Sequence, residues 1–304
     1  MKFSVFQLSR IGGRVTNQDR TGYSYTRNAG FFLVADGLGG HPQGEVASQM
    51  ALQVMTGLFQ NDAKTGIKNP HDFLETAIKI ADRRIHQYSI EKGMSDSPRT
   101  TLVAALIQEG GVSWIHCGDS RLYLVRDGEL LAKTRDHSYF EQKQGHSTDE
   151  KLSVDVNRNM LFTCLGSPIP PVFEISGPVG LKEGDKILLC SDGLWGSLSD
   201  VEIVYDLVNK TVADAVRDLV NKALTKAGSN SDNVTALAIE WETPDMFETT
   251  RVSVSTQSLD AGVFASTVQA SGFENLSDDL NDEEIERSIA EINDAIRRSA
   301  VKKK

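Results

Sequence analysis

The sequence predicts an α+β fold in which antiparallel sheets stack on one another and carry helices on their outer faces. Three observations lead there. Strand-like and helical runs come in blocks and not in strict alternation. Between Thr101 and Thr134 four β-rich runs are joined by links far shorter than the dozen or so residues a parallel crossover needs. Gly30–Ala35 is almost wholly apolar and ends at Asp36, as a strand covered on both faces reads.

Strand-like runs open the chain and lead into Gly30–Ala35. Val46, Ala47, Met50, Ala51, Val54, Met55 and Leu58 then repeat at three and four, which predicts a helix, and so do Phe73, Leu74, Ala77, Ile78, Ala81 and Ile85. A polar connection with Gly66 and the breaker Pro70 separates the two. Thr101–Ile107, Val112–Cys117 and Arg121–Arg126 follow as strands, and Asp127-Gly128 signals a hairpin into Glu129–Thr134. Residues 136–160 are polar and aperiodic and read as a surface loop or flap. Lys186–Ser191 is a strand, 200–208 and 212–226 are helices, and Val234–Trp241 is the closing strand.

After Thr243-Pro244 the composition shifts. Residues 253–277 are rich in Ser, Thr and Gly, so 1–243 reads as the folded domain and 244–281 as a flexible linker. In 282–304, Ile285, Ile289, Ile292 and Ile296 form the stripe of an amphipathic helix, opened by Asp282, Glu283 and Glu284 and closed by Arg297, Arg298 and Lys302 in accord with the helix dipole. A helix this short needs a surface to lie on, either a partner or the folded domain; the alternative reading is a solvated, disordered tail.

The 304 residues hold 32 Lys and Arg against 42 Asp and Glu, a net charge of −10, with 39% hydrophobic residues. This composition belongs to a soluble globular protein and argues against non-specific nucleic-acid binding. Trp114, Trp195 and Trp241 read as core anchors and not as a stacking platform for bases. No apolar run approaches the ~18–20 residues of a membrane span, and polar Gln7, Ser9 and Arg10 interrupt the N-terminus before it can form the apolar core of a signal peptide. Cys117, Cys164 and Cys190 are too few and too scattered for a disulfide framework or a thiolate metal site, and read as buried and reduced. The expected compartment is the cytoplasm.

Asp19, Asp36, Asp119 and Asp192 each sit where a strand ends or a tight glycine turn begins, and Asp232 precedes the final strand. One Asp-Gly alone is usually a turn. Five carboxylates at strand ends that share a sheet edge can converge, however, and converging carboxylates cannot all stay ionised without a cation. Hard oxygen donors with little His or Cys indicate Mg²⁺ or Mn²⁺ over zinc or copper.

The ordered set resembles the type 2C metal-dependent protein phosphatases in their compact bacterial form. The resemblance rests on Gly13-Arg14…Asn17-Gln18-Asp19, Ala35-Asp36-Gly37-Leu38-Gly39-Gly40-His41, Thr100-Thr101-Leu102, Gly118-Asp119-Ser120-Arg121, Ser191-Asp192-Gly193 and Ser231-Asp232-Asn233, and it covers about residues 3–242. It implies a four-layer α/β/β/α sandwich and hydrolysis of phosphoserine and phosphothreonine by a water or hydroxide bridging two Mn²⁺ or Mg²⁺ ions. By that resemblance Asp36 bridges the two metals with the Gly37 carbonyl as a further ligand. Asp192 and Asp232 hold one metal, Asp19 lies near the other through water, and Asp119 with Asp192 holds a third, weaker metal. Arg14 matches the arginine that binds phosphate, where a planar guanidinium can grip two oxygens at once.

Animal-type members carry a histidine directly after the Asp-Gly pair, where this chain has Leu38. His41 is the nearest replacement proton donor, with a substrate-side histidine or a water on the third metal as alternatives. Arg99, where a small glycine often precedes the paired threonines, reads as a surface change, with a phosphate contact as the other option. Asp136-His137-Ser138 is expected to order the flap, and none of His71, His86, His116 and His146 has metal-site spacing. The implied partners are a phosphorylated protein and an opposing Ser/Thr kinase. The competing readings are an adaptor that binds phosphoproteins without turnover, and the same chemistry directed at anti-sigma antagonists or small phosphate esters.

Overall fold

Phe31 and Phe32 are both fully buried yet face opposite ways, as the two-residue period of a strand requires. Phe31 meets the helix residues Phe59 and Phe73, with ring centroids 5.5 and 5.7 Å away, whereas Phe32 meets Phe3 of another strand edge-on at 5.5 Å. Helices therefore cover one face of this strand and a second sheet covers the other.

The computed structural model describes residues 1–64, 66–139, 160–242, 254–255 and 265–267. The chain runs β1 (Lys2–Arg10), β2 (Asp19–Tyr25), β3 (Ala29–Asp36), α1 (Gly44–Asp62), α2 (Pro70–Glu91), β4 (Leu102–Gln108), β5 (Gly111–Cys117), β6 (Arg121–Arg126) and β7 (Glu129–Lys133). It continues through β8 (Glu174–Gly180), β9 (Lys186–Cys190), α3 (Asp192–Trp195), α4 (Asp200–Asn209), α5 (Val212–Ala227) and β10 (Val234–Glu242), and then the dipeptide strands β11 (Val254–Ser255) and β12 (Ala265–Ser266). The strand orders are β11-β1-β10-β9-β6-β7 and β12-β2-β3-β4-β5-β8, antiparallel throughout.

Between the sheets lie Phe3, Phe32, Val103, Leu122, Leu189 and Leu237. Outside the first sheet, Ile203 and Leu207 of α4 and Val216 and Leu219 of α5 pack on Leu188 and Ala236. α1 and α2 cover the second sheet. The result is the expected four-layer α/β/β/α sandwich.

The structure departs from the sequence expectations at four places. First, Pro70 is not a breaker inside a connection but the first residue of α2, where its missing N–H is no loss, and Asn69 caps it by accepting from the N–H groups of His71 and Asp72. Second, β5 and β6 do not pair although only three residues join them; β6 lies in the other sheet between β9 and β7. Gly118, at φ +100°, turns the chain from one layer to the next. Third, β8 is a strand that alternation does not reveal, because Gly177, Pro178 and Gly180 interrupt it, and proline is admissible there because β8 is an edge. Fourth, two short pieces of the segment read as linker add strands to sheet edges, β11 on β1 and β12 on β2. Residues 140–159 of the expected flap, 136–160, and the expected C-terminal helix, 282–304, lie outside the described residues.

Candidate active site

The pairing registers align eight strand ends at one edge of the sandwich. Arg10 pairs with Val234, Asp19 with Asp36, Leu102 with Cys117, and Cys190 with both Ala236 and Arg121. Asp19 opens β2, Asp36 closes β3, Asp119 lies in the β5–β6 link, Asp192 follows β9 and Asp232 precedes β10, so all five carboxylates collect at that edge.

Each is fixed by local bonds. The Ser191 hydroxyl donates to Asp19 Oδ2 at 2.7 Å and itself accepts from the Thr235 N–H at 3.1 Å. The Asp36 backbone is clasped by the paired threonines: its carbonyl accepts from Thr100 Oγ1 and the Thr101 N–H at 2.9 and 2.8 Å, and its N–H donates to Thr101 Oγ1 at 3.2 Å. Gly37 lies so close to α1 that a Cβ there would come within 2.3 Å of the Gly44 carbonyl, which excludes any side chain. The Asp119 carbonyl accepts from the Trp195 indole N–H at 2.9 Å.

Burial, and then mutual repulsion, raise the carboxyl pKa values. Burial is the main cause at Asp19, with Asp232 adding to it. At Asp36 burial is joined by the charges of Asp19, Asp192 and Asp119, and at Asp119 by those of Asp192 and Asp136. Burial, with Asp232 and Asp19 beside it, pushes Asp192 up to about 7. Asp19 Oδ1 is buried without a hydrogen-bond partner. An unpaired buried carboxylate oxygen inside an all-oxygen acidic cluster is the environment that hard divalent cations relieve, so the residues present fit such ions.

Arg14 stands over this cluster. Its Nη2 donates to Asp232 Oδ2 at 2.6 Å, and the fields of Asp192 and Asp36 reach it too. Asn233 holds the arginine's loop: its Nδ2 donates to the carbonyls of Ile11 and Thr16, and its Oδ1 accepts from the Gln18 N–H at 2.8 Å. His41 lies in the turn before α1 with Nδ1 2.8 Å from Asp96 Oδ2. Asp96 also takes a hydrogen bond from Arg99 Nη2 at 2.9 Å, so Arg99 is part of a bonded seam and not a bare surface change.

Ser191, Asn233, Asp96, Arg121 and Trp195 were not expected in these roles. Arg121 forms a forked pair with Asp136 at 2.8 and 2.7 Å and lies 3.6 Å above the Trp195 ring, so Trp195 braces the Asp119 turn as well as packing. A separate group, His116, His137 and Glu174, has one donor atom from each within 4.8 Å of one another, a proximity that linear spacing does not show. The two rings stack at 4.5 Å. His137 Nδ1 accepts from the Gly118 N–H, which leaves the ring proton on Nε2, and Glu174 is 57% exposed. This group ties the segment that follows β7 to β5 and β8.

A double sheet that gathers five aspartates at one edge defines a class: a sequence profile of the family described as protein phosphatase 2C matches residues 7–227. The chain belongs to the protein phosphatase 2C family. It is 31% identical to the serine/threonine protein phosphatase PstP of Mycobacterium tuberculosis over 75% of this chain and 42% of that protein, so it spans less than half of that relative's length. It is 30% identical to the protein phosphatase PhpP of Streptococcus pneumoniae over 78% of this chain and 97% of that protein. Among solved structures, the catalytic domain of PstP in complex with two manganese ions superposes with a TM-score of 0.63 at 29% identity, covering 79% of this chain and 98% of that one.

Proposed function

We propose that the chain hydrolyses phosphoserine and phosphothreonine in phosphorylated proteins with two divalent ions, Mn²⁺ or Mg²⁺. Asp36, the Gly37 carbonyl, Asp192 and Asp232 would hold them with Asp19 alongside, and Asp119 with Asp192 would hold a third, weaker ion. The observation that carries this reading is the collection of five aspartates at one sheet edge, with Asp19 Oδ1 buried and unpaired. The manganese-bound PstP domain, similar in fold, supports it. When bound, such ions neutralise phosphoryl oxygens and lower the pKa of a water enough for it to attack at neutral pH.

The chain's own residues supply the rest. Arg14 keeps N–H groups beyond the one given to Asp232, and a planar fork grips two phosphate oxygens. Ser191 and the paired Thr100 and Thr101 keep the carboxylates and the Asp36 turn from relaxing apart, so the site is preorganised before substrate arrives. His41 is the proton donor to the leaving oxygen. A Ser/Thr protein kinase would supply the phosphorylated substrates, the segment 282–304 would dock on a partner or on the folded domain, and the reaction would run in the cytoplasm.

The test is dephosphorylation of a phosphothreonine peptide, titrated with Mn²⁺ and then with chelator, beside Asp192→Asn and Asp36→Asn. Turnover should follow the metal and fall in both variants by more than the roughly 10–100-fold seen when a residue one step removed from a metal is lost. A folded protein that binds the phosphopeptide without turning it over at any metal concentration would replace this reading with that of an adaptor.

A further inference from the structure

The segment Asp96–Thr101 is bonded along its length to the turn that carries Asp36 and His41. Gly37 and Thr100 form a bridge, the Leu38 N–H donates to the Arg99 carbonyl at 2.9 Å, and Thr100 and Thr101 clasp Asp36. At the far end of this seam the Asp96 carboxylate is shared: Oδ2 lies 2.8 Å from His41 Nδ1 and Oδ1 accepts from Arg99 Nη2 at 2.9 Å. Among the described residues, Asp96 is the charged group bonded to the imidazole, and Arg99 reaches it through Asp96.

An ionised carboxylate can only accept, so His41 Nδ1 carries a proton and Nε2 is the nitrogen left for another partner. His41 and Asp96 are 29% and 41% exposed, and exposed ion pairs do little for stability, so the pair is better explained by orientation than by holding the fold. The bond to His41 also holds the Asp96 carboxyl below its ordinary pKa, which keeps it an acceptor across neutral pH.

We propose that Asp96, itself held by Arg99, is a positioning residue that aims His41 Nε2 at the leaving serine or threonine oxygen. This rests on the phosphatase reading and goes beyond it. In the step, water oxygen forms the new bond to phosphorus, the bond from phosphorus to the side-chain oxygen breaks, and that oxygen takes the Nε2 proton of the imidazolium. The ring is left neutral, with Nδ1–H still on Asp96. The proton lost by the attacking water goes to solvent, from which Nε2 is recharged.

The experiment compares wild type, Asp96→Asn, His41→Asn and the double variant, as full chains saturated with Mn²⁺, on a phosphothreonine peptide and on p-nitrophenyl phosphate. The aryl leaving group is far less basic and needs little proton donation. Asp96→Asn should lower kcat on the peptide about tenfold, a part of the ~10²–10⁴-fold that general acid catalysis contributes, with KM unchanged and a markedly smaller fall on the aryl ester. The double variant should be no slower than His41→Asn alone. Equal losses on both substrates, additive losses in the double variant, or no loss with an unchanged melting temperature would each overturn the positioning role while leaving the phosphatase reading intact. Absence of metal-dependent turnover in the wild type on both substrates would overturn the two together.

Discussion

Ser191 shows how little of the site a single residue reveals. Its hydroxyl links Asp19 to the Thr235 backbone, and both partners are distant in sequence from it. The five aspartates were legible because each sits beside a strand end or a glycine turn, a local feature. Ser191, Asn233 and Asp96 were not, because what they hold arrives from other parts of the chain. The carboxyl pKa values lead to a prediction for the metal-free protein. Asp192, raised to about 7 in the fold and near 3.9 when unfolded, gives the folded state the greater proton uptake between those values. Its stabilising contribution is full below the unfolded pKa and is lost as pH rises through 7, and Asp19, Asp36 and Asp119 act in the same direction. In chelator the melting temperature should therefore be higher at pH 5.5 than at pH 8, and saturating Mn²⁺ should remove most of that difference. A chelated protein that melts higher at pH 8 would contradict it. Burial also pushes the Cys117 and Cys164 thiols up to about 12 and about 11 and raises Cys190. None of the three should react with a thiol-specific disulfide reagent at pH 8 until the chain is denatured.

Among the elements, α4 is defined at both ends by side chains. Ser199 and Glu202 form a capping box at its start. At its end the buried Lys186 of β9 donates to the carbonyls of Leu207 and Lys210 at 2.7 and 2.6 Å, so a lysine inside a strand closes a helix. Replacing it in Lys186→Met keeps the stem and removes both bonds. Stability should fall by about 2–3 kcal/mol, as for a hydrogen bond from a charged group lost in the interior, with metal affinity unchanged. Urea titration and calorimetry would check each half. Helix existence was readable from apolar periodicity, and so were most strands. The partner of β6 was not, because a three-residue link fits either a hairpin or a passage between layers, and only the fit of Leu122 and Leu124 between the sheets decides it.

For the whole molecule, β11 and β12 cover β1 and β2, which would otherwise end their sheets as unpaired edges. Such edges invite association between copies. A chain cut after residue 243 should keep metal-dependent hydrolysis of a small aryl phosphate, since the aspartate edge lies wholly before the cut, but should self-associate more than a chain cut after residue 268. Sedimentation of the two truncations checks the second point. Loss of hydrolysis in the shorter one would move the domain boundary past residue 243.

The amino-acid order alone determined the kinds of elements, their sequence, and the acidic residues at their ends, because periodicity and turn chemistry are properties of a few neighbouring residues. It also carried the resemblance to the protein phosphatase 2C family, since those motifs are short and contiguous. Tertiary structure decided which strands share a sheet, that Asp19 lies opposite Asp36, and that Asp96 meets His41. Those facts depend on packing between segments up to more than two hundred residues apart, where burial, repulsion and hydrogen bonding act through space and leave no local mark on the chain.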